Sequence, residues 1–111
     1  MVTNYIPASG DVVWLDFNPT RGHEQASIRP ALVISNKAYN EKTGMVVLCP
    51  VTSIAKGYPF EVAFRSKKIN GSILVDHIRS VDWKNRGIRF VTRASEAAVL
   101  EVREKLAALI F

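Results

Sequence analysis

The segment IRFVTRASEAAVLEVREKLAALIF, residues 88–111, changes its hydrophobic period once. Ile88, Phe90 and Thr92 alternate with Arg89, Val91 and Arg93, the two-residue period of a strand with unlike faces. From Ser95 onward the period lengthens, and Val99, Val102, Leu106 and Leu109 recur at helical spacing. Ser95 reads as the N-cap with Glu96 in the first turn, and Glu101 and Lys105 stand four residues apart, where opposite charges meet on a helix. A strand followed by one terminal helix frames everything upstream.

The upstream residues read as short strands. Val12–Phe17 is β-branched and aromatic and follows the breaker Ser9-Gly10. Ala31–Ser35 and Met45–Val51 are nearly continuous apolar runs, the pattern of strands buried on both faces. Phe60, Val62 and Phe64 alternate with Glu61, Ala63 and Arg65. Asn70-Gly71 predicts a tight turn between strands, with further strands at Ser72–Val75 and Ile78–Asp82. Asn18–Arg29, Asn36–Gly44 and Thr52–Tyr58 read as loops, the second with room for one helical turn near Lys37–Asn40. Five to seven strands and one helix predict a small, strongly bent, mainly β barrel with the helix flanking or plugging it.

The 111 residues fit one domain spanning the chain. Such a chain buries roughly 65% of its unfolded surface and needs no metal or disulfide staple. Its apolar runs are far too short to span a bilayer, and its first residues lack the basic and apolar regions of a secretory signal. Cys49 is the one cysteine, which excludes an intrachain disulfide and fits a reducing cytoplasm. Its apolar neighbours mark it as a small buried hydrophobe and not as a nucleophile. The net charge of +5 is concentrated: residues 56–93 carry nine basic side chains against three acidic ones. That basic middle segment points to a polyanionic partner as readily as to a solvated surface.

The residues able to carry chemistry lie mostly in loops. RGHEQASIRP, residues 21–30, holds two cations, a histidine, a carboxylate and an amide. Arg29 precedes Pro30, a position biased to extended backbone, so its guanidinium stands at the mouth of the following strand or pairs with a surface carboxylate. In PVTS, residues 50–53, Thr52 either caps a turn or touches a substrate. Lys56 and Tyr58 set a cation beside a ring, which suits single-stranded nucleic acid, although Tyr58 also suits packing over the next strand. Asp76 and His77 read as strand-edge neighbours pointing to opposite faces, which is no dyad. No phosphate-loop, dinucleotide, nucleophile-elbow or zinc-protease motif is present, and two histidines without a third ligand pattern predict no metal and no cofactor.

GDVVWLDFNPTRGHEQASIRPALVIS, then NKAYNEKTGMVVLCPVTS, KGYPFEV and GSILVDHIRSVDW together resemble the MazF/PemK (Kid) toxins of bacterial toxin–antitoxin modules. The likeness runs from Gly10 to the terminal helix. It implies an SH3-like barrel of the CcdB/Kid/MazF kind, a homodimer, and metal-free, sequence-specific cleavage of single-stranded RNA that leaves 2′,3′-cyclic phosphate and 5′-hydroxyl ends. It also implies a cognate MazE-like antitoxin whose acidic segment blocks the RNA site. By the same resemblance Arg29 and Thr52 are the catalytic pair, with Glu24 and His23 the candidates for the base. Gln25, Ser53, Lys56, Tyr58, Asp76, His77 and Arg86 are the expected RNA-binding set. His77 replaces the usual Gln after Asp76, and Leu74 stands where the Kid-like branch has Arg, so a MazF-like arrangement is favoured. The triplet ACA is the expected type of target. A CcdB-like gyrase poison, which acts without catalysis, and a plain SH3-like binding module are the competing readings.

Overall fold

The computed structural model describes residues 4–17 and 28–111. Seven strands form one curled sheet: β1 Asp11–Asp16, β2 Ile28–Val33, β3 Met45–Thr52, β4 Glu61–Arg65, β5 Asn70–Leu74, β6 Arg79–Asp82 and β7 Arg89–Arg93. Helix α1, Lys37–Thr43, precedes β3, and helix α2, Glu96–Ile110, follows β7. The strand order is β4-β5-β3-β2-β1-β7, with β6 also paired to β3. The sheet bends into a half-barrel, and α2 packs against it beside β4.

Strand β3 is the hub. On one side it pairs with β2 through Val33↔Leu48, Leu32↔Cys49 and Ala31↔Pro50. On its other side Met45–Leu48 pair with β6, whereas Val51 and Thr52 pair with Ile73 and Ser72 of β5. The change of partner falls at Cys49 and Pro50, and Pro50 has no N–H to give a second ladder. A 3₁₀ turn, Val75–His77, fills the gap between β5 and β6. Cys49 Sγ lies 3.8 Å from the Val75 carbonyl it faces.

Strand β1 and residues 31–33 of β2 are buried on both faces, which explains their apolar runs. Val12 and Leu32 join Val62, Phe64, Ile73, Val102 and Leu106 in one core. Val13, Leu15, Ala31 and Val33 join Leu48, Trp83 and Ile88 in a second. Helix α2 starts as its sequence dictates, with Ser95 Oγ accepting from Ala98 N at 3.1 Å. Val102 and Leu106 are buried, but Leu109, at the end of the expected stripe, is 42% exposed. Glu101 and Lys105 approach to 3.9 Å as their spacing predicts.

Three expectations need correction. Asn70-Gly71 is not a turn: both residues belong to β5 and pair with Arg65 and Phe64. The chain reverses just before them because Ser66 Oγ accepts from Lys68 N at 3.2 Å and Ile69 N at 2.9 Å, a hydroxyl-built turn that Asn-Gly does not compete with. The alternation of 88–93 breaks in β7, where Val12 pairs with Thr92 but Val13 pairs with Phe90. This bulge turns Val91 inward and leaves Phe90 49% exposed. The Lys37–Asn40 turn extends into α1 because Asn36 caps it (Tyr39 N to Oδ1, 2.8 Å) and Gly44 ends it at φ +73°.

The start of β1 and the end of β7 are tied together through Asp11. Its buried carboxylate accepts from Arg93 Nη1 at 2.6 Å, Tyr5 Oη at 2.6 Å and Ala8 N at 3.1 Å. Burial, and then the Asp11 carboxylate, raise the Tyr5 phenol well above its ordinary pKa. Asp11→Ala removes charge-assisted bonds at a buried site, for a loss of about 2–3 kcal/mol. A melting temperature lowered by roughly 10 °C is expected in calorimetry; an unchanged value would show that the cluster adds nothing.

Candidate active-site groove

The β2–β3 pairing brings Arg29 and Thr52 to one place. The paired positions end at Ala31↔Pro50, and Arg29 and Thr52 each lie two residues beyond that last pair. Arg29 is exposed and Thr52 half-buried. Both line a groove of about 570 Å³ together with Trp14, Pro30, Val51, Ser53 and Ile54, with Lys68 and Ile69 from the β4–β5 turn, and with Asn70, the first residue of β5. Among the described residues, two cations line it and no Asp or Glu does. Such a groove attracts anions.

Thr52 is oriented locally. Its Oγ1 accepts from Ile54 N at 3.2 Å, and the hydroxyl hydrogen stays available to donate elsewhere. The loop that follows is pinned by Glu61, the first residue of β4. The Glu61 carboxylate accepts from Lys56 N at 3.1 and 3.2 Å and from Gly57 N at 3.1 Å. Gly57 sits at φ +76°, a conformation that makes glycine the natural occupant. Lys105 Nζ holds the loop's far end by donating to the Pro59 carbonyl at 2.6 Å.

Of the residues expected at the site, Arg29, Thr52 and Ser53 share the groove. Lys56 and Tyr58 ride on the pinned loop, both exposed and outside the groove lining. Asp76 and His77 lie elsewhere, in the 3₁₀ turn and not at a strand edge. That turn brings Asp76 Oδ1 and His77 Nε2 to 4.0 Å, so they do not point to opposite faces, and both remain substantially exposed. Arg86 donates to the Asp16 carbonyl at 3.2 Å, bracing the end of β1. His23, Glu24 and Gln25 lie outside the described residues.

Trp14, Lys68 and Asn70 also line the groove, and the sequence alone does not mark them. Trp14 pairs with Pro30, and that cross-strand step from the Arg29-Pro30 dipeptide was its only signal. Lys68 carried none beyond its charge. Cys49 is fully buried, its thiol pushed up to about 12 by desolvation first and by the Asp76 charge second, so it is no nucleophile. Among the described residues no three His, Cys, Asp or Glu side chains gather as a metal site requires. No described helix is long and apolar enough to cross a membrane.

A half-barrel with one terminal helix and a basic groove between β2, β3 and the β4–β5 turn defines a known class. Residues 8–110 match the family described as PemK-like, MazF-like toxin of type II toxin-antitoxin system, and the chain belongs to it. It is 48% identical over 87 residues to endoribonuclease toxin MazF of Escherichia coli strain K12, covering 78% of each chain. It is 32% identical over 106 residues to endoribonuclease PemK of Escherichia coli, covering 91% of this chain and 80% of that one. The crystal structure of MazF (Form-I) from Deinococcus radiodurans superposes with a TM-score of 0.86 at 48% identity, over 96% of this chain and 98% of the other. The MazE–MazF complex (Form-II) of the same organism gives 0.86 at 44% identity, over 96% and 97%.

Proposed function

We propose that this chain is the toxin of a type II toxin–antitoxin module and acts in the cytoplasm as a sequence-specific endoribonuclease on single-stranded RNA, stopping translation and growth. The observation that carries the reading is the shared groove of Arg29 and Thr52. In this reading the ribose 2′-hydroxyl attacks its own phosphorus, and negative charge gathers on the equatorial oxygens. The Arg29 guanidinium is always charged and offers several donors, which suits it to that charge. The Thr52 hydroxyl, already accepting from Ile54, donates to the same phosphate. Glu24 or His23 takes the 2′-hydroxyl proton. The 5′-oxygen leaves with a proton, and the products are a 2′,3′-cyclic phosphate and a 5′-hydroxyl. No step requires a metal ion. Ser53 lies in the groove, and on the exposed loop that follows, Lys56 and Tyr58 offer a charge for phosphate and a ring for a base.

The groove reads bases only when they are splayed from a duplex, so structured RNA resists cutting. The named MazE–MazF complex of the Deinococcus relative supports a MazE-like antitoxin as the partner, and the active form in this reading is a homodimer.

The test is cleavage of a long single-stranded RNA in EDTA by the wild-type protein and by Arg29→Ala. The wild type gives defined fragments with cyclic-phosphate ends. Losing one preorganised donor lowers the single-turnover rate by about 10²–10³. An Arg29→Ala protein that is folded and cuts at the wild-type rate removes Arg29 from the mechanism. Wild-type protein inactive in EDTA but active with added magnesium removes the metal-free one.

A further inference from the structure

We propose that Lys68 holds a backbone phosphate flanking the scissile one, which makes the β4–β5 turn a second wall of the RNA groove. The inference rests on the nuclease reading above. Lys68 lines the same groove as Arg29 and Thr52, from a different part of the chain. Its backbone is fixed by the Ser66 hydroxyl, which accepts from Lys68 N and Ile69 N and donates to the Ile69 carbonyl at 3.0 Å. Its side chain is fixed as well. Nζ donates to the Val91 carbonyl at 3.2 Å, reaching from the β4–β5 turn to β7.

An ammonium has three donors, and the Val91 carbonyl uses one. The other two remain for an anion, and among the described residues none that lines the groove is a carboxylate. A lysine already held in place loses less side-chain freedom on binding than an exposed one. The ammonium is a point charge, which suits a flanking phosphate that needs holding and not reshaping. The planar guanidinium of Arg29 suits the phosphorus that changes geometry. RNA is thereby held by charge on two walls.

The experiment compares the wild type, Lys68→Gln and Lys68→Arg on a short single-stranded oligoribonucleotide with its mapped cleavage site, between about 50 and 200 mM salt. Gln keeps a donor for the Val91 carbonyl and removes the charge; Arg keeps the charge. Lys68→Gln is expected to raise KM about fivefold to tenfold with kcat within about twofold. It also flattens the slope of log kcat/KM against log salt by about 0.7, one phosphate contact on a single strand. Lys68→Arg restores both. Equal KM and equal salt slope in Lys68→Gln and wild type overturn the proposal and leave Lys68 a strut between the β4–β5 turn and β7. A fall in kcat alone overturns it too, because the charge then acts on the chemistry. Those results come from an enzyme that cuts RNA; a wild type that neither binds nor cuts the oligonucleotide overturns the nuclease reading itself.

Discussion

An RNA with a single 2′-deoxynucleotide at the cleavage position is expected to survive uncut beside an all-ribose control that is consumed. The attacking oxygen in the proposed reaction belongs to the substrate, so its removal takes away the nucleophile and leaves every protein group in place. The loss is large because an oriented intramolecular nucleophile is equivalent to an effective concentration of about 10⁵–10⁸ M. Water in the same groove has no comparable advantage, and nothing among the described residues is arranged to activate it at the phosphorus. The deoxy-substituted strand still binds, since its phosphates and bases are unchanged, and serves as a competitive inhibitor with a Ki near the substrate Kd. Primer extension or mass spectrometry of the products reads the outcome. Cutting of the deoxy substrate at the same bond would require direct attack by water and end the cyclic-phosphate mechanism.

Gly71→Ala is expected to damage stability and catalysis together. Gly71 lies in β5, and a Cβ added to it would collide with the Thr52 carbonyl oxygen and stand 3.3 Å from Val51 Cγ1. The first neighbour is backbone and cannot swing aside. Relief requires β5 to part from β3 next to the pair Thr52↔Ser72. Overpacking of this kind costs about 3 kcal/mol, which lowers the melting temperature by more than about 10 °C. The displaced backbone carries the hydroxyl proposed to touch the phosphate. A shift of about 1 Å there lowers the rate by about 10² even in molecules that remain folded. Urea titration and single-turnover cleavage at low temperature measure the two effects separately. A variant with the wild-type midpoint and rate would mean that β5 does not approach Thr52 so closely in solution.

Much of this architecture is legible in the sequence because it rests on local patterns. The apolar runs at 31–34 and 45–49 mark strands buried twice over, and Ser95 with the stripe after it marks α2. What fails are places where a distant partner decides. Asn70-Gly71 carries a turn signal, yet glycine is needed at 71 for the close approach of β3, 19 positions earlier in the chain. Val91 and Phe90 exchange faces because β1 forces a bulge. Asp76 and His77 leave the extended conformation because β3 changes partner at Pro50 and the chain must cross that gap. The site divides in the same way. Arg29 and Thr52 are named by the family resemblance and meet in one groove just past the end of the β2–β3 ladder. Lys68 is invisible until a turn built by Ser66 carries it to the groove.

The tie between Asp11 and Arg93 spans 82 positions, and the helix that completes the first core comes later still. A ribosome adding about 5–20 residues per second takes several seconds to travel from one side of that tie to the other. Until it does, β1 lacks its β7 neighbour, and Val12 and Leu32 lack the cover of Val102 and Leu106. The fold therefore matures only once residues 91–93 have been added, and until then the Lys68 ammonium lacks the Val91 carbonyl that holds it at the groove.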